Sequence, residues 1–264
     1  MSCRTPLAAL AALAWLSFTH PALSQEPVKV EAPRDVKSEV PSLAYAYSAY
    51  GASARSLGAQ VYGLAAGASS EKAQVGGGIT IWGSPVDRLT LVGDGSRNVY
   101  GNFSPSVAAI FRAVGKAREG WSLGLLGKFK VDGFAGGPTK DEMESEIETG
   151  LLLSYAHSGW LLDANAIAGF GTGDDGEVDV EGRLRVGRMV GQWVRLGLDG
   201  QARLRVAGPR LLPNKKTWDF SAGPQVVVGN RYFFGTLTAG PATMGLFDEK
   251  VGVNAMVSVG GSTL

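Results

Sequence analysis

Cysteine is almost missing from this chain: the only one is Cys3. It precedes the first apolar run, residues 7–18, which Arg4 introduces with a positive charge and Ala22-Leu23-Ser24 close ahead of Gln25. A basic start, a short apolar stretch and a small-x-small end form the pattern of a secretory signal peptide, here residues 1–24. Its removal would take Cys3 with it and leave no thiol, disulfide or cysteine metal ligand. Histidine is scarce too, with only His20 and His157. Net charge is scarce: 25 Lys and Arg against 24 Asp and Glu give +1, which excludes an electrostatic case for nucleic acid. No later segment is apolar for the roughly 20 residues that a membrane helix needs. No convincing amphipathic helical period interrupts the chain, which argues against alternating strands and helices.

Glycine is what the sequence has in excess, 38 residues spread along its length and not gathered into a linker. Residues 25–42 (QEPVKVEAPRDVKSEVPS) have no useful period, and the Pro, Glu, Lys and Val content predicts a disordered periplasmic leader. Residues 43–56, with Tyr45, Tyr47 and Tyr50, leave three alternatives open: a short helix, an extra strand, or a plug at a barrel mouth. The domain reading is therefore a signal peptide (1–24), a leader (25–56) and a β-domain (57–264).

From Leu57 the polarity alternates with a period of two, in segments of about ten residues separated by turn residues. Twelve strands are predicted, within a range of 10–14: 57–66, 73–82, 87–93, 104–115, 120–133, 145–157, 160–171, 177–189, 193–206, 217–228, 231–243 and 249–260. In the eighth, Val178, Val180, Leu184 and Val186 share a face opposite Asp179, Glu181, Arg183 and Arg185. In the ninth, Val194, Leu196, Leu198, Leu204 and Val206 oppose Arg195, Asp199, Gln201, Arg203 and Arg205. A soluble barrel or sandwich could show the same alternation with its apolar face inward. Two further patterns favour a membrane. Connections after even strands are short, as at Ser158-Gly159 and Gly229-Asn230, while those after odd strands are longer. That is the arrangement of an outer-membrane barrel with its short turns in the periplasm. Trp82, Trp121, Trp160 and Trp193 fall at strand ends on the short-turn rim and Trp218 toward the other, as two interfacial aromatic girdles would. The fold expectation is all-β: an up-and-down antiparallel transmembrane β-barrel in the bacterial outer membrane.

Phrases such as GWSLGLLGKFKVDGF (120–134), GWLLDANAIAGFGTG (159–173) and FFGTLTAGPATMG (233–245) carry a resemblance. Over residues 57–260 the chain resembles exported outer-membrane β-barrel proteins of Gram-negative bacteria. The resemblance is one of texture and implies no established activity. It implies outer-membrane lipid and the barrel-assembly machinery as partners. Barrels of that kind typically end in an aromatic residue, whereas this sequence ends Gly260-Gly261-Ser262-Thr263-Leu264. An internal signal can be laid on Lys250, Gly252, Ala255 and Val257.

The search for chemistry yields little. Some barrel enzymes act on lipids through a serine and a histidine at His-x-Ser spacing, but His157 is followed directly by Ser158 in a turn. A base and a nucleophile so placed cannot easily share a proton, so no catalytic residue is assigned. Asp174-Asp175-Gly176-Glu177 lacks the alternating oxygen ligands of a calcium loop. No metal or cofactor is expected. Function would have to reside on the lumen face: Lys128, Lys130, Glu146, Glu148, Asp163, Asp179, Glu181, Arg183, Arg185, Arg195, Asp199, Arg203 and Arg205. That face reads as a structural charge network or as the wall of a passive small-solute pore. Two other readings are a lipid-modifying barrel enzyme and a soluble periplasmic barrel binding an apolar ligand. Charge also limits the register of the eighth and ninth strands. Asp199 should lie opposite Arg183 or, two residues along, Arg185; the slide that sets Glu181 against Asp199 is excluded by repulsion.

Overall fold

The computed structural model describes residues 47–49, 55–67, 74–97, 103–116, 119–132, 144–172, 176–207, 218–230, 232–243 and 251–263. The expected signal peptide and the 25–42 stretch lie outside the described residues. Twelve strands follow one another: β1 (Ser56–Gly67), β2 (Gln74–Val86), β3 (Leu89–Arg97), β4 (Phe103–Lys116), β5 (Glu119–Asp132), β6 (Glu144–His157), β7 (Trp160–Gly171), β8 (Val178–Met189), β9 (Val194–Ala207), β10 (Trp218–Gly229), β11 (Phe233–Thr243) and β12 (Gly252–Ser262). Each pairs antiparallel with its neighbours in sequence, and β1 pairs with β12 to close a barrel. The seam continues past the strand ends, where the Thr263 N–H donates to the Leu57 carbonyl at 2.7 Å.

Local chemistry explains the tight turns. Ser158 and Gly159 link β6 to β7 with φ of 49° and 81°. Two left-handed residues in succession give the twist that a two-residue hairpin needs, and glycine accepts it without a Cβ penalty. Between β10 and β11 the Asn230 side chain accepts from the N–H groups of Tyr232 and Phe233, at 2.8 and 2.9 Å. An asparagine thereby substitutes for a backbone turn. Asp87 and Arg88 join β2 to β3, and residues 190–193 join β8 to β9. All these turns lie on one rim. The intervals 133–143, 208–217 and 244–251 belong to the opposite rim.

The two faces of the sheet have opposite chemistry. Leu123, Leu184 and Leu198 face outward, with Leu198 64 % exposed, alongside Val61, Ile81, Leu125, Leu151, Leu237 and Val257. Their neighbours of the other parity are buried inside the barrel: Gln60, Thr80, Asp163, Arg185, Asp199 and Asn254. This is the reverse of a soluble barrel, which would bury its leucines.

One expected boundary and one expected role are corrected. β2 does not stop at residue 82 but runs on to Val86, with a register irregularity against β3 between Gly83 and Val86. Trp82 is accordingly not a rim residue. Ile79 and Ile81 take the outward parity, so Trp82 points inward and is 1 % exposed. Gly58 lies directly across from it on β1, and a Cβ there would overlap the indole. Phe234 packs on the other side, ring centroids 6.3 Å apart.

β8 and β9 adopt the second of the two permitted registers. Arg185 lies opposite Asp199, Glu181 opposite Arg203 and Asp179 opposite Arg205. The four-residue connection at 190–193 accommodates the slide.

Leu184 sits midway along β8 on the outward face. Leu184→Arg should destabilise the barrel by about 2–4 kcal/mol if the apolar band spans a bilayer. Urea unfolding in phospholipid vesicles would measure it, and a cost near zero would speak against lipid on this face.

Candidate functional site in the barrel interior

The interior has two unlike walls. β10, β11, β12, β1 and β2 contribute short neutral groups: Ser221, Gln225, Thr236, Thr238, Asn254, Ser258, Gln60 and Thr80. β5 to β9 contribute most of the charges, while Asp94 of β3 accepts from Thr80, and Arg112 of β4 and Asp219 of β10 also take the inward parity. The strand alternation that puts leucine outside brings all thirteen expected lumen residues to this second wall, and each cation there has a carboxylate close by.

Across β5 and β6, Lys128 donates to Glu148 at 2.8 Å and Lys130 lies 3.7 Å from Glu146. Direct register produces both pairs, since Lys128 is opposite Glu148 and Lys130 opposite Glu146. Arg203 reaches over from β9 to Glu146 at 3.1 Å and also pairs with Asp179. Gly169 makes room between them, because a Cβ there would meet both the Glu146 and the Asp179 carboxylates. Arg205 pairs with Glu177 at 3.1 Å, a carboxylate from the acidic run that lacks the pattern of a calcium loop. Arg183 pairs with Glu181, two residues away on its own strand, at 2.9 Å.

Nearer the short-turn rim the network is deeply buried. Arg185 donates through Nε (2.9 Å) and Nη2 (2.5 Å) to one oxygen of Asp163, and the Ser154 hydroxyl donates to the other at 2.5 Å. Asp199 accepts from Gln225 of the neutral wall at 2.8 Å, and Arg195 is buried in the same layer. Charges are worth more in such surroundings than in water, and equally costly if left unpaired. The gradient along the barrel is steep: the Arg185 side chain is 1 % exposed and that of Arg205, at the long-loop end, 38 %.

The neutral wall is mostly illegible in the sequence, because Ser, Thr and Gly alternating with valine give a weak face signal. The 47–49 segment, part of the stretch for which helix, extra strand and plug are open in the sequence, lies inside the barrel with Tyr47, Ser48 and Ala49 all buried. Tyr47 and Ala49 join Val92, Ile110, Leu126, Leu152 and Ile167 in an apolar cluster within the lumen.

Of the expected girdle residues, Trp121, Trp160 and Trp193 face outward near the short-turn rim. Trp121 packs on Tyr155 at 4.6 Å, and the Arg188 guanidinium lies 5.3 Å from the Trp160 ring centre. The Trp218 side chain lies outside the described residues. His157 ends β6 beside Tyr155, and Ser158 is the first residue of the turn. Among the described residues no group of three or more His, Cys, Asp or Glu could hold a metal ion.

Asp163→Ala would remove the carboxylate that Arg185 holds through two nitrogens in a buried layer and should cost about 3–5 kcal/mol of stability. Arg205→Ala at the solvated end should cost about 1 kcal/mol or less. Chemical unfolding of both variants in lipid vesicles would compare them, and equal costs would mean that the burial gradient does not govern the energetics.

No protein-family model matches the chain, and no curated protein matches it in sequence. Solved structures do match in fold. An outer-membrane channel of Pseudomonas putida F1 superposes with a TM-score of 0.53 at 11 % identity, covering 80 % of this chain and 96 % of that one. The KdgM porin, solved in complex with disordered oligogalacturonate, superposes with a TM-score of 0.52 at 8 % identity, covering 78 % and 99 %. At such identities the likeness is one of architecture: the chain has the fold of bacterial outer-membrane β-barrels.

Proposed function

We propose that the chain is an outer-membrane β-barrel that conducts small solutes passively along its charged wall. The observation that carries this reading is the pairing of a continuous apolar exterior with a charged column running through the interior from rim to rim. Hydrocarbon accepts the first, and only a hydrated or internally paired lumen accepts the second. Outer-membrane lipid then covers the outward leucines and valines, and the barrel-assembly machinery inserts the chain after export behind its signal peptide. Two channels share the fold, which supports the reading further.

The wall sets modest selectivity. Lys128, Lys130, Arg183, Arg185, Arg195, Arg203 and Arg205 are matched in number by Glu146, Glu148, Asp163, Glu177, Asp179, Glu181 and Asp199, so the β5–β9 wall by itself is neutral. Discrimination falls to the groups that meet water, chiefly Arg203 and Arg205 at the long-loop end, where fixed charge attracts the opposite ion.

Planar-bilayer recording of the refolded protein tests this. Stepwise ion current is expected, with little preference between potassium and chloride. Arg203→Glu combined with Arg205→Glu should move the reversal potential toward that of potassium. Current at the leak level from wild type, from this variant and from a chain with residues 47–49 replaced by glycine would discard the channel.

A further inference from the structure

The 47–49 segment is held by contacts that read a polypeptide backbone. The Asn165 side chain accepts the Tyr47 N–H at 2.7 Å and donates to the Tyr47 carbonyl at 2.9 Å. One carboxamide thus satisfies both main-chain groups of one residue, as an adjacent strand would. Two residues on, the Ala49 N–H donates to the Ser154 hydroxyl oxygen at 2.7 Å. Ser154 spends its own proton on Asp163, whose other oxygen Arg185 holds, so its oxygen accepts the Ala49 amide while the Ser48 hydroxyl lies 3.4 Å away. The clasped amides are two residues apart, and the chain enters a turn at Ala49. Gly124 completes the fit: a Cβ there would lie 3.3 Å from both Cα and Cβ of Ala49, so the wall is cut back where the segment passes. The Arg183 guanidinium sits 5.0 Å from the Tyr47 ring centre, in the range of a cation–π contact.

We propose that Asn165, Ser154, Gly124 and Arg183 form a binding clasp for a polypeptide segment, that its resident ligand is the chain's own 47–49 segment, and that occupancy closes the lumen. The closing role rests on the channel reading; the clasp does not. Every group contacting the backbone is a neutral amide or hydroxyl that water can satisfy as well as a peptide can. A cavity with such partners hydrates when vacated, whereas a purely apolar seat would not. The segment can therefore leave without stranding buried charge, because the Asp163–Arg185 pair beneath it stays intact. Tyr47 supplies the specificity, since only an aromatic ring gains from Arg183.

The test uses the full mature chain, which has no cysteine once Cys3 is gone. Ala49→Cys with Gly124→Cys brings two Cβ positions to 3.3 Å, near the roughly 3.5–4.5 Å of a disulfide. A crosslink is expected in folded protein, seen by mass spectrometry of the digest. None is expected with the outward-facing Gly127→Cys in place of Gly124→Cys. Failure of the first pair to crosslink overturns the clasp. In bilayers the oxidised pair should stay closed, and dithiothreitol should raise its open fraction. Replacing residues 47–49 by glycine keeps those main-chain contacts but removes the ring beneath Arg183, and should raise the open fraction about fivefold, as loss of a cation–π contact of about 1 kcal/mol would. A peptide spanning residues 44–52 (AYAYSAYGA) should then block that chain, and the same peptide with Tyr47→Ala should block it less. Equal currents in the oxidised and reduced pair would overturn closure by the segment. If no form conducts, it is the channel reading that fails, and the crosslink still decides the clasp.

Discussion

A strand that crosses hydrocarbon must give every N–H and C=O to a neighbour, because lipid offers no partner. From this single constraint the rest of the molecule follows. It forbids a free edge, so β1 must find β12, and the barrel closes through a register that runs from Gly58 opposite Ser262 to Gly67 opposite Val253. Closure fixes an inside and an outside. Strict alternation then assigns every side chain to one or the other, and a slip of one residue anywhere would turn arginines into lipid.

Once the inside is closed, its charges must answer to one another. The β8–β9 pairing shows how closely two rules compete there. Charge alone permits Asp199 beside Arg183 or beside Arg185, and the structure chooses Arg185. That choice leaves Arg183 opposite Gln201, where it turns to Glu181 on its own strand and covers Tyr47. Arg185 meanwhile is directed to Asp163 on β7. Sliding by two residues therefore divides neighbouring arginines between two tasks: one anchors the buried layer and the other faces the segment in the lumen.

What was legible in the sequence is what depends on period two. β6 and β7 are found within a residue at either end, since the Leu151-Leu153 and Asp163-Asn165 alternations stop at Ser158-Gly159. The thirteen lumen charges were legible for the same reason. A strand end at residue 82 implies a rim position for Trp82, whereas parity implies the inward one it has. Ile79 and Ile81 already gave the outward face, but the Gly83-Ser84-Pro85 run resembles a turn and hid the continuation to Val86. The clasp could not be read at all. Asn165 could be placed on the lumen face, but its partner lies 118 residues away. The 47–49 segment has no period by which to recognise a chain that lies against a wall without joining the sheet.

The two ends of the interior answer to different demands. At the short-turn end, Asp163, Arg185, Arg195 and Asp199 are sealed from water, with Arg185 paired to Asp163 and Asp199 accepting from Gln225. Such a layer gives the barrel a rigid floor and leaves almost no field for a passing ion. At the long-loop end, Arg203 and Arg205 are also paired, yet more than a third of each side chain meets solvent. Water screens those pairs and exchanges with them, so their charge remains available to whatever enters. The 47–49 segment lies between these zones, with Ala49 on Ser154 at the sealed layer and Tyr47 beneath Arg183 on the open side. Displacing a group at that junction would hydrate its neutral partners and leave the buried Asp163–Arg185 pair intact.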